Sequence, residues 1–407
     1  MAIQFGPIAG ELPADAFPSV IIYGDGAVAL SAFVDEIISA DSEMRVVVGA
    51  RAIRDAVAQF AQRCNAEGER PAELVAAVRH AILKPLKDAI QTRTVFVPIN
   101  NLEIEGELDL GMGQIMSRSA VMQATKDFIS SAQKASTTPR PTDIPPFEHW
   151  EAWVTSTMQG LPPPCLRIEV RSHKAAAQER AQAIAIEAMN ILRAFLQFCC
   201  SADKKQFPYI TGETGCAHFQ TASFDLVDRA FETQSLVVGP QMPAVLSADV
   251  IKHLEDNCAF GVMRDILAKP AQDRNTFEHA LVSAAECLGR SSIAPTRHQA
   301  VVDAVTAIER LVVSENDTST TEKFELRLSH LIGENGVMRR IISKRAKELY
   351  EVRSCVVHAG RTEVPGDDVA TIRAFAGIAL VQGLKAHGSF SAHKSFCDEL
   401  HDRRLGS

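Results

Sequence analysis

Two stretches of the chain set an arginine five positions before a histidine: RNTFEH, Arg274 to His279, and RSCVVH, Arg353 to His358. A guanidinium presents a planar fork of donors that fits two oxygens of one phosphate. An imidazole exchanges protons near neutral pH. Together they suit phosphoryl chemistry, with the cation stabilising charge on the phosphorane and the imidazole moving a proton at an attacking or departing oxygen. Spacing alone does not choose between the two pairs. In a straight α-helix five positions turn the side chain by about 140° and raise it by roughly 7.5 Å. Neither pair then shares a face unless the long arginine stem reaches around, the helix kinks near its end, or a second subunit completes the pair.

The elements that must position these residues differ. His279 falls near the start of the run FEHALVSAAECLG, where Pro270 and Asp273 act as start signals, so it reads equally as a packed or capping residue. His358 falls in the last turn of a run that Gly360 should close, where the helix dipole favours a cation. The same run is locally basic: Arg339, Arg340, Lys344, Arg345, Lys347, Arg353 and Arg361 stand against Glu348 and Glu351. Such a stretch either holds a phosphate backbone or is the solvated side of a helix whose apolar stripe is Ile341, Leu349, Val352 and Val356.

The whole chain of 407 residues is 46% hydrophobic and 23% charged, enough for a sizeable core in two or three domains. A formal net charge of −8 gives no global signature of nucleic-acid binding, so any basic surface must be local. No run of 18 apolar residues predicts a membrane span, and the N-terminal residues lack the basic and apolar regions of a signal peptide. Nine irregularly spaced cysteines without a CxxC pair point to a reduced, cytoplasmic protein with mostly buried thiols. Cys216 and His218 have no further partner at ligand spacing and there is no HExxH, so no metal and no cofactor is expected. GMG at 111–113 and GETG at 212–215 lack the strand–loop–helix setting of a phosphate loop and read as turns.

The pattern predicts an α+β chain with N-terminal mixed α/β regions and a C-terminal antiparallel helical bundle. A short strand at 18–22 precedes a turn and helices near 28–40, 50–65 and 71–92, the last opened by Pro71. Alternation at Leu102, Ile104, Leu108 and Leu110 predicts antiparallel strands within 94–111. The Pro-, Ser- and Thr-rich segment 134–146 reads as a linker or long loop. A strand at 165–170 leads into a helix near 173–198 with Ile184, Ala188, Ile191 and Phe195 on one stripe. A short β-rich patch near 207–238 follows, and from about 247 onward the periodicity is helical, with breaks at Gly333–Gly336, Gly360 and Pro365. The expected division is a domain at 1–133, a linker at 134–147, a middle α+β region at 148–285 and a bundle at 286–407.

Within that bundle, Ala307–Leu311 (AIERL), Leu326–Gly333 (LRLSHLIG) and Leu349–Gly360 (LYEVRSCVVHAG) form a series that resembles the HEPN superfamily, in particular its Apea-like branch. The likeness is most specific over 298–362. It implies a small helical bundle, often dimeric, that in many members is a metal-independent ribonuclease, in some cases a toxin or phage-defence effector. On that implication Arg353 and His358 are catalytic and Lys344, Arg345, Lys347 and Arg361 are candidates for RNA contact, with Arg274 and His279 the weaker alternative pair. One histidine does not easily act as both base and acid, and a homodimer would supply a second copy. The N-terminal region would then sense a protein partner or a phage-derived trigger, with no role for a membrane. Ser354 stands where active members often carry Asn, Asp or His, and Gly360 stands where members regulated by tyrosine adenylylation carry Tyr. Glu309 either faces the site or pairs with Arg327, and Tyr350 reads as a core residue beside it. The competing expectation is a non-catalytic dimerisation module whose N-terminal region binds a ligand or protein.

Overall fold

The computed structural model describes residues 84–134, 147–160, 164–199, 207–210, 213, 218–225, 230–237, 243–315, 317, 320–360 and 363–403, together with 32, 35, 44, 47–49 and 52–59. The expected strand at 18–22, its turn, Pro71, the segment 135–146, Cys216 and Arg361 lie outside the described residues.

The chain is α+β. It divides into two compact units, and both are discontinuous in sequence: Met1–Val95 with Glu169–Gln182 and Ser223–Phe231, and Phe96–Ile168 with Ala183–Ala222 and Glu232–Ser407. The division expected from composition has four parts with other bounds. Strand β5 (Cys165–Ser172) and helix α3 (Lys174–Leu196) each run through both units, so a compositional break does not mark a structural one. The smaller unit includes helical residues at 52–59, preceded by Gly49 at φ +84°, and ties Val47 to His173 by a 2.8 Å backbone hydrogen bond.

The sheet runs in the order β3-β4-β5-β1-β7-β8, from β1 (Gln91–Asn100), β3 (Glu107–Asp109), β4 (Gln114–Met116), β7 (His218–Asp225) and β8 (Ala230–Val237), with β6 (Tyr209–Ile210) also on β1. Residues 91 and 92, expected at a helix end, instead open β1, whose run from Val95 to Asn100 is buried throughout. A strand buried on both faces reads as a continuous apolar run, which periodicity alone does not separate from a buried helix. β3 pairs antiparallel with β4, which lies beyond the segment 94–111 expected to hold the antiparallel strands, and GMG forms their turn. There Gly111 sits at φ +82°, where an added Cβ would lie 2.2 Å from the Arg264 carbonyl oxygen. β2 (Leu102–Ile104) departs from expectation by pairing parallel with the distant β9 (Ala244–Leu246). Helices α1 (Arg118–Lys134) and α2 (Phe147–Gly160) pack on each other through Phe128 and Trp150, whose ring centroids are 5.6 Å apart.

Helices α4 (Ala248–Cys258) and α5 (Phe260–Ala268) lead into the bundle: α6 (Thr276–Ile293), α7 (Arg297–Val312), α8 (Thr320–Ile332), α9 (Gly336–Ala359), α10 (Gly366–Ala386) and α11 (His393–Asp402). The expected boundary between 285 and 286 cuts α6, which is one unbroken helix. Local chemistry sets the ends. Asn275 and Glu278 form a capping box on α6, Thr296 caps α7, Asn335 caps α9, and Gly360 closes α9 at φ +65° as its position predicts. Helix α7 is central, burying Ala300, Val301, Ala304, Val305, Ile308, Leu311 and Val312. By length and composition Gly366–Ser389 passes as a membrane span, against expectation; in this fold Ile372, Ala376, Leu380 and Leu384 of that stretch are buried, and α10 packs on α6 and α7.

Helix α3 meets α6 without side-chain clearance: a Cβ on Gly289 would fall 1.8 Å from the Asn190 carbonyl oxygen. Gly289→Ala, which in an open helix would stabilise by about 1 kcal/mol, should here cost about 1–3 kcal/mol in denaturant unfolding. At the start of α6, buried Glu278 accepts from Lys269 (2.6 Å), His387 (2.9 Å) and the Asn275 N–H (2.9 Å). Burial alone would raise this carboxyl, but those hydrogen bonds outweigh it and bring it down to about 2. A depressed carboxylate stabilises the fold above its unfolded value, near 4.5, and loses that contribution as pH falls toward about 2. Acid titration of unfolding stability should show this loss in the wild type and a shallower one in Glu278→Gln.

Candidate functional site

Helix α9 is one continuous helix of 24 residues, so Arg353 and His358 leave it in different directions. Arg353 turns inward and is half-buried. Its Nη2 lies 3.5 Å from Glu309 Oε2 on α7, and its guanidinium carbon sits 5.8 Å from the Tyr350 ring centroid. The other Glu309 oxygen accepts from the Tyr350 hydroxyl at 3.0 Å. Burial first, and then the Glu309 carboxylate, push that hydroxyl's pKa up, so it remains a donor. Tyr350 also packs on Phe324 of α8, with ring centroids 4.9 Å apart. One carboxylate therefore fixes both an arginine and a tyrosine, joining α7 to α9.

The arginine is only partly engaged. Its Nε is buried without a hydrogen-bond partner. The contrast is Arg193, fully buried, whose donors are taken up by the Pro208 carbonyl, Asn190 and Glu213. His358 is exposed in the last turn of α9 and has no hydrogen-bond or ion-pair partner among the described residues. Ser354 is half-buried and likewise makes no side-chain hydrogen bond among them. Within one chain the structure thus brings Arg353, Glu309 and Tyr350 together and leaves His358 apart.

Several expected partners change. Glu309 does not pair with Arg327. Arg327 instead donates to Asp317 and to the Val312 carbonyl oxygen, while Asp317 also takes Lys323 at 2.6 Å. These hydrogen bonds outweigh burial and hold the Asp317 carboxyl well below its usual range. Asp317 lies in the connection between α7 and α8, where no periodic pattern flags it. Of the alternative pair, Arg274 lies before the N-cap of α6 and donates to the carbonyls of Ile266 and Leu267, closing α5, while His279 is exposed on the first turn of α6. Arg274 also approaches Glu187, at 3.9 Å.

The basic run also sorts itself. Arg345 is tied to Asp368 and Glu348, and Arg339 to the Gly333 carbonyl, whereas Lys344 and Lys347 are exposed. Arg340, not among the expected contacts, is exposed as well. Of the expected apolar stripe only Leu349 is buried. Ile341 is 57% exposed, with Val337, Met338 and Val357 also open. α9 packs mainly on α8 and α7 and less on α10, and those apolar residues are open among the described residues.

A second Cys–His pair lies on α11, with Cys397 Sγ 3.4 Å from His393 Nε2. That ring nitrogen is 2.8 Å from the Leu311 carbonyl oxygen, and burial pushes the thiol up to about 12 and the imidazole down. This pair packs the bundle, and burial disfavours the thiolate there. Cys165, Cys258 and Cys287 are buried as expected, whereas Cys199 and Cys355 are exposed. Among the described residues no group of three or more His, Cys, Asp or Glu side chains could hold a metal ion.

No family model, no curated protein and no solved structure matches the chain. The HEPN resemblance therefore rests on the motif residues and their surroundings.

Because the side chains of Arg353 and Glu309 are each less than a quarter exposed, the two should show a measurable coupling. A double-mutant cycle with Arg353→Met and Glu309→Gln is expected to give about 1 kcal/mol in thermal or denaturant unfolding.

Proposed function

We propose that the C-terminal bundle is a HEPN-type, metal-independent RNA endonuclease whose site is completed by a second copy of the chain. The observation that carries the reading is the state of Arg353: a half-buried guanidinium held by one 3.5 Å contact, with a buried Nε that has no partner. That Nε is out of a ligand's reach, but Nη1 makes no hydrogen bond among the described residues, so the oriented group keeps donors for phosphate oxygens. His358 stands five positions on, exposed and unpartnered, as a group that moves protons must be. In the reaction the RNA 2′-hydroxyl loses its proton to a base and its oxygen attacks the adjacent phosphorus. The bond to the 5′-oxygen breaks, and an acid protonates that oxygen. The products are a 2′,3′-cyclic phosphate and a 5′-hydroxyl. Glu309 and Tyr350 position Arg353, which steadies the phosphorane.

The divergence of Arg353 and His358 along α9 makes the second copy a chemical requirement of this reading, and the uncovered apolar residues of α9 offer a surface for it. The N-terminal region then acts as sensor or regulator, in keeping with a toxin or defence effector. A second reading has its own observation: the Arg353–Glu309–Tyr350 cluster joins two helices and suits a non-catalytic dimerisation module just as a lock of the bundle would.

Purified protein incubated with mixed RNA and a chelator should yield cyclic-phosphate ends, with a loss on the order of 100-fold or more in Arg353→Ala and His358→Ala. Cleavage that survives both substitutions would move the chemistry elsewhere. Cys355, exposed on α9, gives a parallel readout: in a Cys199→Ser background oxidative crosslinking should link two chains, and adding Cys355→Ser should reduce it.

A further inference from the structure

The cations of α9 that remain free share a line with His358. Arg340, Lys344 and Lys347 are exposed and have no ion pair or hydrogen bond of their side chains among the described residues. Glu325 of α8 is the carboxylate whose charge state Lys347 influences, without an ion pair between them. Continuing the helical spacing, positions 340, 344, 347, 351, 354 and 358 step by four, three, four, three and four, which keeps them on one face. The face runs about 27 Å along the helix and ends at the imidazole. Arg339 and Arg345, equally basic in sequence, are withdrawn by the Gly333 carbonyl, Asp368 and Glu348.

We propose that this row is a track for the backbone of a single-stranded nucleic acid, with Arg340, Lys344 and Lys347 as phosphate contacts that lead the strand to His358. The proposal rests on the nuclease reading only for what happens at the end of the track. A straight row of point charges suits a single strand: the deep, narrow major groove of an RNA duplex does not admit a helix, whereas a flexible strand can lie along one. The step from Arg340 to Lys344 rises about 6 Å and that from Lys344 to Lys347 about 4.5 Å, separations over which long side chains can meet successive phosphates. Glu351 stands in the row between Lys347 and His358, so the strand must arch over it, and it acts against binding. Because the contacts are to phosphates, the track accepts DNA as well as RNA, although only RNA carries the hydroxyl needed for cleavage.

Fluorescence anisotropy on the full chain carrying His358→Ala, with a short unstructured oligoribonucleotide and the matching oligodeoxyribonucleotide, tests this directly. Adding Arg340→Gln, Lys344→Gln and Lys347→Gln should weaken both ligands by about tenfold or more at low salt and flatten the slope of log affinity against log salt by about 2. A control carrying Lys126→Gln, Lys252→Gln and Lys394→Gln, exposed lysines elsewhere, should bind as the parent does, and Glu351→Gln should tighten binding about two- to fivefold. No binding by the parent, equal losses in both triple variants, or no loss in the row variant each overturns the track. Wild-type cleavage that persists unchanged in the row variant would remove the track and leave the nuclease standing. Binding lost only in the row variant, with no cleavage by the wild type, would leave the track and remove the nuclease.

Discussion

The site depends on the pitch of one helix. Because α9 runs unbroken from Gly336 to Ala359, residues five apart diverge by about 140°, and no side chain in the chain's own bundle undoes that divergence. Arg353 is drawn inward to Glu309, and His358 is left in solvent. The cap at Gly360 ends the helix only after His358, so the imidazole is held on rigid backbone rather than on a loop. Every functional possibility for the pair follows from this: a structural arginine with an idle histidine, or two halves of a site brought together between chains.

The inward half is built economically. Glu309 uses one oxygen for the Tyr350 hydroxyl and the other for Arg353, and the Tyr350 ring is close to both that cation and Phe324. A buried carboxylate with a single partner would be costly, and the shared arrangement satisfies both of its oxygens while leaving part of the guanidinium unused. The same helix keeps its other cations apart by the same means. Asp368, Glu348 and the Gly333 carbonyl occupy Arg345 and Arg339, so only one line of positive charge faces outward.

Local features were legible in the sequence because their causes are local. The breaks at Gly333–Gly336, Gly360 and Pro365 fall where helices end or begin, and the periodic runs after 247 are helices. What depends on distant partners was not legible. The β2–β9 pairing joins segments some 140 residues apart, and β1, buried on both faces, carries no alternation to separate residues 91 and 92 from the preceding helix. Glu309 could be assigned to Arg327 on the strength of charge alone, yet Asp317, in a short connection without pattern, takes that arginine. In the same way, seven basic residues near one another read as a patch, and only their carboxylate partners decide that Arg340 belongs to the outer row and Arg345 does not.

The central claim is that Arg353 and His358 act together only when contributed by different chains. Co-expressing differently tagged Arg353→Ala and His358→Ala chains and isolating the mixed species tests it most directly. The account predicts that RNA cleavage, absent from either variant alone, reappears in part in the mixed species, because one intact arginine then faces one intact histidine across the interface, with water left to serve in the second proton transfer. A mixed species as inert as its parents, alongside an active wild type, would show that the two groups work within a single chain and would contradict it.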